Sequence, residues 1–264
     1  MPPVAGTGGR PVGLLLGFAN MLLAAYEATA PRAVVIGLDA RTPSYRHELL
    51  PGYQGQRPPF PEDLTEQLDR IPELAAAFGF YAVKEVPYEA DDVLAAAVAA
   101  EERRGGEALV LTSDRDSFQL VSGRTSILMP PARAGSPLVR VGRDEVVERY
   151  GVRPDQVVDL IALRGDPSDN IPGARGVGPK TAAELLRRFG TLEGVIEHAD
   201  ELSNRQRLAV RGAASDLLRY REVARMQPDA GIPDVDDRPF DAARASAWAR
   251  DAGLARLAER LAPG

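Results

Sequence analysis

The chain has 264 residues, of which 44% are apolar, 27% charged and 6% aromatic, enough to bury a core and too apolar for a disordered tail. It contains no cysteine, which excludes disulfides, thiolate nucleophiles and cysteine-based zinc or iron–sulfur sites, and fits a reducing, cytoplasmic setting. The formal charge of −6 gives no basic footprint of the kind nucleic-acid binders usually carry, a point that holds only if the acids are spread evenly.

Residues Val12 to Ala25 are apolar apart from Asn20, follow Arg10 and precede Ala28-Thr29-Ala30, in imitation of an export signal with its cleavage site. Pro2, Pro3, Pro11 and Glu27 do not suit that reading, and the run is too short to span a bilayer. A buried helix over Val12 to Thr29 is expected instead, with no membrane partner. Ala33 to Leu38 is a β-branched apolar run that suits a strand covered on both faces, and it ends at Asp39. Pro43 to Pro61 reads as a long exposed loop, followed by a helix over Glu62 to Phe78. Phe80 to Val86 reads as a strand. Tyr88 to Arg104 reads as a helix with Val93, Ala96, Ala97 and Ala100 inward, closed by Gly105-Gly106. Ala108 to Thr112 is the next buried strand, then a helical turn after Ser113-Asp114-Arg115-Asp116, then a strand over Thr125 to Met129. Strands alternating with helices imply a parallel α/β sheet. Past Val152 the strand signals stop. The expected organisation is an α/β domain over residues 1–151 and an all-helical domain over 152–264.

The carboxylates fall in a pattern. Asp39 follows one strand, Asp114 and Asp116 follow another, and Glu89, Asp91 and Asp92 open a helix after a third; Asp166 and Asp169 sit in the adjoining loop Gly165-Asp166-Pro167-Ser168-Asp169-Asn170. In parallel α/β sheets the loops beyond the carboxyl ends of the strands share one edge, so these acids are expected to converge. Taken singly, Glu89, Asp91 and Asp92 also suit helix capping and the helix dipole, and Asp39 and Asp114 suit turns. Eight carboxylates on one edge would repel without cations. All-oxygen donors point to Mg²⁺ or Mn²⁺, and a pair of such ions would serve hydrolysis at phosphorus without a protein nucleophile. Without those eight acids the formal charge would be +2, compatible with a phosphate-rich partner.

The segment Pro172-Gly173-Ala174-Arg175-Gly176-Val177-Gly178-Pro179-Lys180-Thr181-Ala182 joins two helical patterns, Asp155 to Leu163 and Thr181 to Phe189. Gly173, Gly176 and Gly178 would let the backbone approach a phosphate, with Lys180, Thr181 and the amides opening the second helix completing an anion site; a plain glycine-rich connection is the alternative.

With these stretches in view, the sequence resembles the 5′-3′ exonuclease, or flap endonuclease, family, found as the N-terminal domain of bacterial DNA polymerase I and as free-standing proteins. The resemblance runs from about Gly8 to about Leu261. It rests on Leu38-Asp39-Ala40 with Ser44 to Glu48, on Tyr88 to Val93, on Thr112 to Asp116, on Tyr150-Gly151-Val152 with Pro154, on Gly165 to Asn170 and on Gly176 to Ala182, in that order. It implies a PIN-like α/β nuclease domain followed by a helical domain with a helix-hairpin-helix that grips duplex DNA, often with K⁺ at the hairpin. It further implies hydrolysis of DNA or primer-RNA phosphodiesters near single-strand/duplex junctions, with a DNA polymerase as a partner in trans for a free-standing protein. Carried over by position, Asp39, Glu89, Asp91, Asp92, Asp114, Asp116, Asp166 and Asp169 would hold two metal ions directly or through water. Arg46 and Arg57 would belong to the arch that admits the single strand and would meet phosphates there.

Two departures are visible. The family usually begins with a buried strand ending in an aspartate of the metal site, and no such segment stands in this sequence; a start placed too far downstream is the favoured explanation, beside a natural remnant and a strand supplied from elsewhere. Gln54 follows Tyr53 where the family has a lysine. Two other readings therefore stand beside the nuclease: a DNA-structure-binding protein that cleaves poorly, and a PIN-type ribonuclease.

Overall fold

In the computed structural model, residues 5–130 and 136–262 are described. The chain forms two compact units, one built from residues 1–38, 58–84 and 231–264, the other from residues 39–57 and 85–230.

The first unit begins with α1 (Gly13–Thr29), whose Leu15, Ala19, Leu22 and Leu23 are buried. The export-like run is thus a core helix, and among the described residues no helix is long and apolar enough to cross a membrane. Strand β1 (Val35–Gly37) pairs in parallel with β2 (Tyr81–Val83), with Ile36 opposite Ala82. The helix expected over Glu62 to Phe78 is two helices, one at Glu62–Asp69 and one at Ile71–Phe78. Pro72 explains the break, because it donates no amide hydrogen and its ring crowds the carbonyl four residues back. Phe78, Phe80, Tyr26, Phe240 and Trp248 form an aromatic cluster, completed by helices at Ala242–Asp251 and Ala255–Leu261.

In the second unit, β3 (Ala108–Leu111) and β4 (Thr125–Met129) are parallel, and β5 (Val139–Val141) joins β4 antiparallel. Sequence reading missed β5. The fold class is the expected one, a PIN-like α/β sheet followed by helices, with β5 as an antiparallel edge. Pro43 to Pro61 is not a simple exposed loop: α2 (Tyr45–Leu49) forms within it, and Ser44, Arg46 and Tyr53 are buried. Helix α3 (Ala90–Arg103) follows β2 and buries Asp92, Val93, Ala95, Ala96 and Val98. Beyond β5 come α4 (Arg143–Tyr150), α5 (Val157–Arg164) and α6 (Pro179–Phe189), and α7 (Ala214–Ala224) lies further on; no strand follows Val141 among the described residues. Phe118, Ile127, Val141, Leu160, Ile161, Leu163, Leu186 and Leu217 form the core, which fixes α5 and the loop after it against β3 and β4.

Candidate active site

All the singled-out acids lie in the second unit. Helix α3 starts with a reciprocal cap: Glu89 stands at its N-cap and the Asp92 side chain accepts the Glu89 amide at 2.9 Å. Asp39, leaving β1, accepts the Ala90 amide at 2.8 Å, so two separate chain segments meet at this helix start. After β3, Asp114 turns back to accept the Asp116 amide at 2.9 Å. In the Gly165 to Asn170 loop, Asp166 accepts from the Ser168 amide and hydroxyl at 2.8 and 2.6 Å, and the Asp166–Ile171 bridge closes the turn. Gly165, at φ 76°, has the Ile171 and Pro172 carbonyls where a side chain would stand. Asn170, at φ 58°, donates to the Gly52 carbonyl at 2.7 Å and ties this loop to the segment carrying Gln54 and Arg57.

Electrostatics divides the acids. Burial, with Asp114, Asp39 and Glu89 close by, pushes the Asp91 carboxyl up to about 7. Burial, with Asp114, Asp166 and Asp169, pushes Asp116 up to about 7 as well, against the pull of Arg164. Asp169 is also raised by burial, opposed by Arg57, whose Nη2 is 2.7 Å from it, and by Gln54, whose Nε2 donates at 3.3 Å. These carboxylates are near enough to repel one another, yet among the described residues no three are drawn into one tight cage.

Two expected roles need correction. Asp92 is fully buried, and its oxygens accept from Arg46 at 2.7 and 2.8 Å, from the Glu89 and Gln227 amides, and from the Tyr45 hydroxyl at 3.4 Å. Those bonds use up its lone pairs, so it is not free to hold an ion. Arg46 is 3% exposed and donates to the Val223 and Arg225 carbonyls besides Asp92, so its guanidinium is not presented to a passing strand. Burial works against its charge, but the bonds to Asp92 hold its pKa above the usual guanidinium value. Glu89 stands between the two groups: Ser44 and Tyr53 hydroxyls donate to it at 2.5 and 3.0 Å, and Arg46 is 3.5 Å away. Arg57 is exposed.

Arg164 was missed. It ends α5, and its Nη2 lies 3.8 Å from Asp116 and 3.5 Å from Asp166. Its position immediately before Gly165-Asp166 was the available signal.

The glycine segment links α5 to α6, with Ala174 and Val177 buried and Lys180 exposed. Its glycines serve different ends. Gly173, at φ 67°, abuts the Arg164–Gly165 backbone, so its lack of a side chain meets a packing requirement. At Gly176, φ 80°, a Cβ would come within 2.8 Å of the Arg205 guanidinium, and only Gly178, at the N-cap of α6, faces open space. Thr181 is half-buried beside Lys180.

Short parallel strands followed in sequence by acids, and then a glycine hairpin between helices, define a PIN-like nuclease architecture with a helical second part. The family description "5′-3′ exonuclease, N-terminal resolvase-like domain" matches residues 1–151, and "5′-3′ exonuclease, C-terminal SAM fold" matches residues 152–245; the chain belongs to this 5′-3′ exonuclease family. It is 40% identical over 222 residues to the thermostable DNA polymerase I of Thermus thermophilus, covering 84% of this chain and 26% of that protein. It is 34% identical over 244 residues to DNA polymerase I of Mycobacterium leprae, covering 92% and 26%. The chain thus spans about a quarter of the length of these relatives. Among solved structures, its fold is similar to that of T5 5′-exonuclease bound to zinc, with TM-score 0.72, 18% identity and 93% and 88% of the two chains covered. It is also similar to the Rad2 catalytic core in complex with DNA substrate, with TM-score 0.60, 17% identity and 94% and 85% covered.

Proposed function

We propose that this chain is a divalent-metal-dependent 5′ nuclease that hydrolyses phosphodiesters of DNA or primer RNA near single-strand/duplex junctions. The observation that carries the reading is that Asp91 and Asp116 are both buried beside Asp114, with Asp39 also near the first and Asp166 and Asp169 near the second, so that burial and then mutual repulsion raise both carboxyl groups to about 7. Such a donor set fits hard divalent cations such as Mg²⁺ or Mn²⁺, because it is all oxygen and short of positive charge. Asp39, Asp91 and Asp114 would hold one ion, and Asp116, Asp166 and Asp169 a second, with Glu89 contributing through water. When bound, the ions supply an activated water and neutralise the leaving oxygen.

The chain's own residues do the rest. Arg57, exposed and bound to Asp169 by a bond it can exchange, neutralises the scissile phosphate. The α6 N-terminus with Gly178, Lys180 and Thr181 holds the duplex backbone without reading sequence, and K⁺ at this hairpin would add positive charge there. The family's polymerase relatives support a partnership with a DNA polymerase, and a DNA-acting enzyme without cysteine suits the cytoplasm.

The test is a 5′-flap duplex incubated with Mg²⁺. Cleavage at the junction, lost by at least a thousandfold in Asp114→Ala while binding in Ca²⁺ persists, supports the reading; unchanged turnover in that variant overturns the site. A second reading, a structure-specific DNA binder that cleaves poorly, is favoured by Gln54, which puts a neutral amide against Asp169. Salt-sensitive binding of the flap with no product would select it.

A further inference from the structure

Helices α4, α5 and α6 line an open groove that includes Arg149, Tyr150, Arg164, Lys180, Glu184 and Arg187. Glu184 lines the same groove, yet among the described residues no carboxylate lies within salt-bridge distance of Arg149, Lys180 or Arg187. The adjacent Arg188 shows the contrast, since it sits 2.6 Å from Glu201. Arg164 lies with its guanidinium 5.6 Å from the centre of the Tyr150 ring, and its Nε is buried without a hydrogen-bond partner. A buried donor left unpaired is costly, and like charges held together on rigid helices repel, so both features favour an anion from outside.

We propose that this groove is a phosphate-binding site for the backbone of bound DNA, distinct from the hairpin amides and centred on Arg149 and Arg187. The groove shares Lys180 with the hairpin and Arg164 with the acid cluster, so it lies on the way from one to the other. Guanidinium forks suit a phosphodiester oxygen pair, and contacts of this kind set register without sequence preference. The proposal rests on the nuclease reading and adds to it where a strand is held between grip and chemistry.

The test measures binding of a 5′-flap duplex in Ca²⁺ by fluorescence anisotropy across a salt series, for the wild-type chain, Arg149→Ala/Arg187→Ala and Arg149→Lys/Arg187→Lys. The alanine pair is expected to bind about tenfold more weakly at moderate salt, with the slope of log affinity against log salt reduced by about 1. The lysine pair, which keeps the charge and also controls for folding, is expected to retain the wild-type slope. If the wild-type chain binds and cleaves while the alanine pair keeps its affinity and slope, the groove assignment falls and the nuclease reading stands. If the wild-type chain binds no flap duplex, both fall. Inorganic phosphate serves as a further probe: a thermal shift that depends on Arg149 and Arg187 without any effect on DNA affinity would make the groove a free-anion site and overturn the proposal.

Discussion

Asp91 and Asp92 are neighbours at the start of one helix, and their surroundings are opposite. Behind the helix, Asp92 is sealed in a network of Arg46, Tyr45 and backbone amides, with every bond donated to it. In front, Asp91 faces Asp114 and Asp39 and keeps its proton up to about 7. One carboxylate is spent on holding the helix in place, and the other is left short of positive charge. Residue type and position in sequence do not separate these roles; the direction each side chain takes from the helix does.

The largest effect is expected from breaking the rear network. Arg46→Met leaves Asp92 buried with its main partner gone, and should cost about 3–5 kcal/mol of folding stability, read from urea denaturation. A loss of cleavage with stability intact would return Arg46 to the strand-contacting role given it by position. The front of the helix should respond in the other direction. Asp91→Asn removes a repelling charge, so the metal-free protein is expected to melt several degrees higher at pH 8, about 1 kcal/mol corresponding to about 2–4 °C at this size. Cleavage should be lost in the same variant.

The pH dependence follows from the sign of the shifts. Asp91 and Asp116 bind protons more tightly folded than unfolded, so their stabilising contribution is complete below about pH 4 and is lost as pH rises through about 7. In metal-free protein the melting-temperature difference between the Asp91→Asn variant and the wild-type chain should therefore widen between pH 5 and pH 8, in the variant's favour. A constant difference across that range would show that Asp91 is ionised throughout. A modest gain in rate, against the loss of cleavage in Asp91→Asn, is expected at Gln54. Gln54→Lys places a cation beside Asp169 and should raise the cleavage rate about tenfold, about 1.4 kcal/mol of barrier, with little change in DNA affinity.

Much of the fold was legible in the sequence because its signals are local. The Thr125 to Met129 strand, with Ile127-Leu128-Met129, and the helix ending at Thr29, apolar from Val12 to Ala25 apart from Asn20, carry local apolar signals, and the structure reproduces them within a residue. What escaped depends on distant partners. β5 is three residues long and exists by pairing with β4. Arg46 and Tyr53 lie in a polar, proline-rich stretch that looks exposed, and are buried because Asp92 and Glu89, far along the chain, accept their hydrogen bonds. The acids stand out in the sequence through their places after the strand runs, at a helix start and in the Gly165 to Asn170 loop. Asp92's separate role does not, and Arg164, hidden among many arginines, gains its meaning only from proximity to Asp116 and Asp166.

The central claim, that these carboxylates form a divalent-cation site, is tested most directly by titrating purified protein with Mn²⁺ and counting free ion by electron paramagnetic resonance. The account predicts saturable binding of two ions per chain, reduced in Asp91→Asn and unaffected in a chain altered at Asp216, which pairs with Arg219 and not with the acids after the strands. Binding that never saturates, or that is equal in all three proteins, would contradict it.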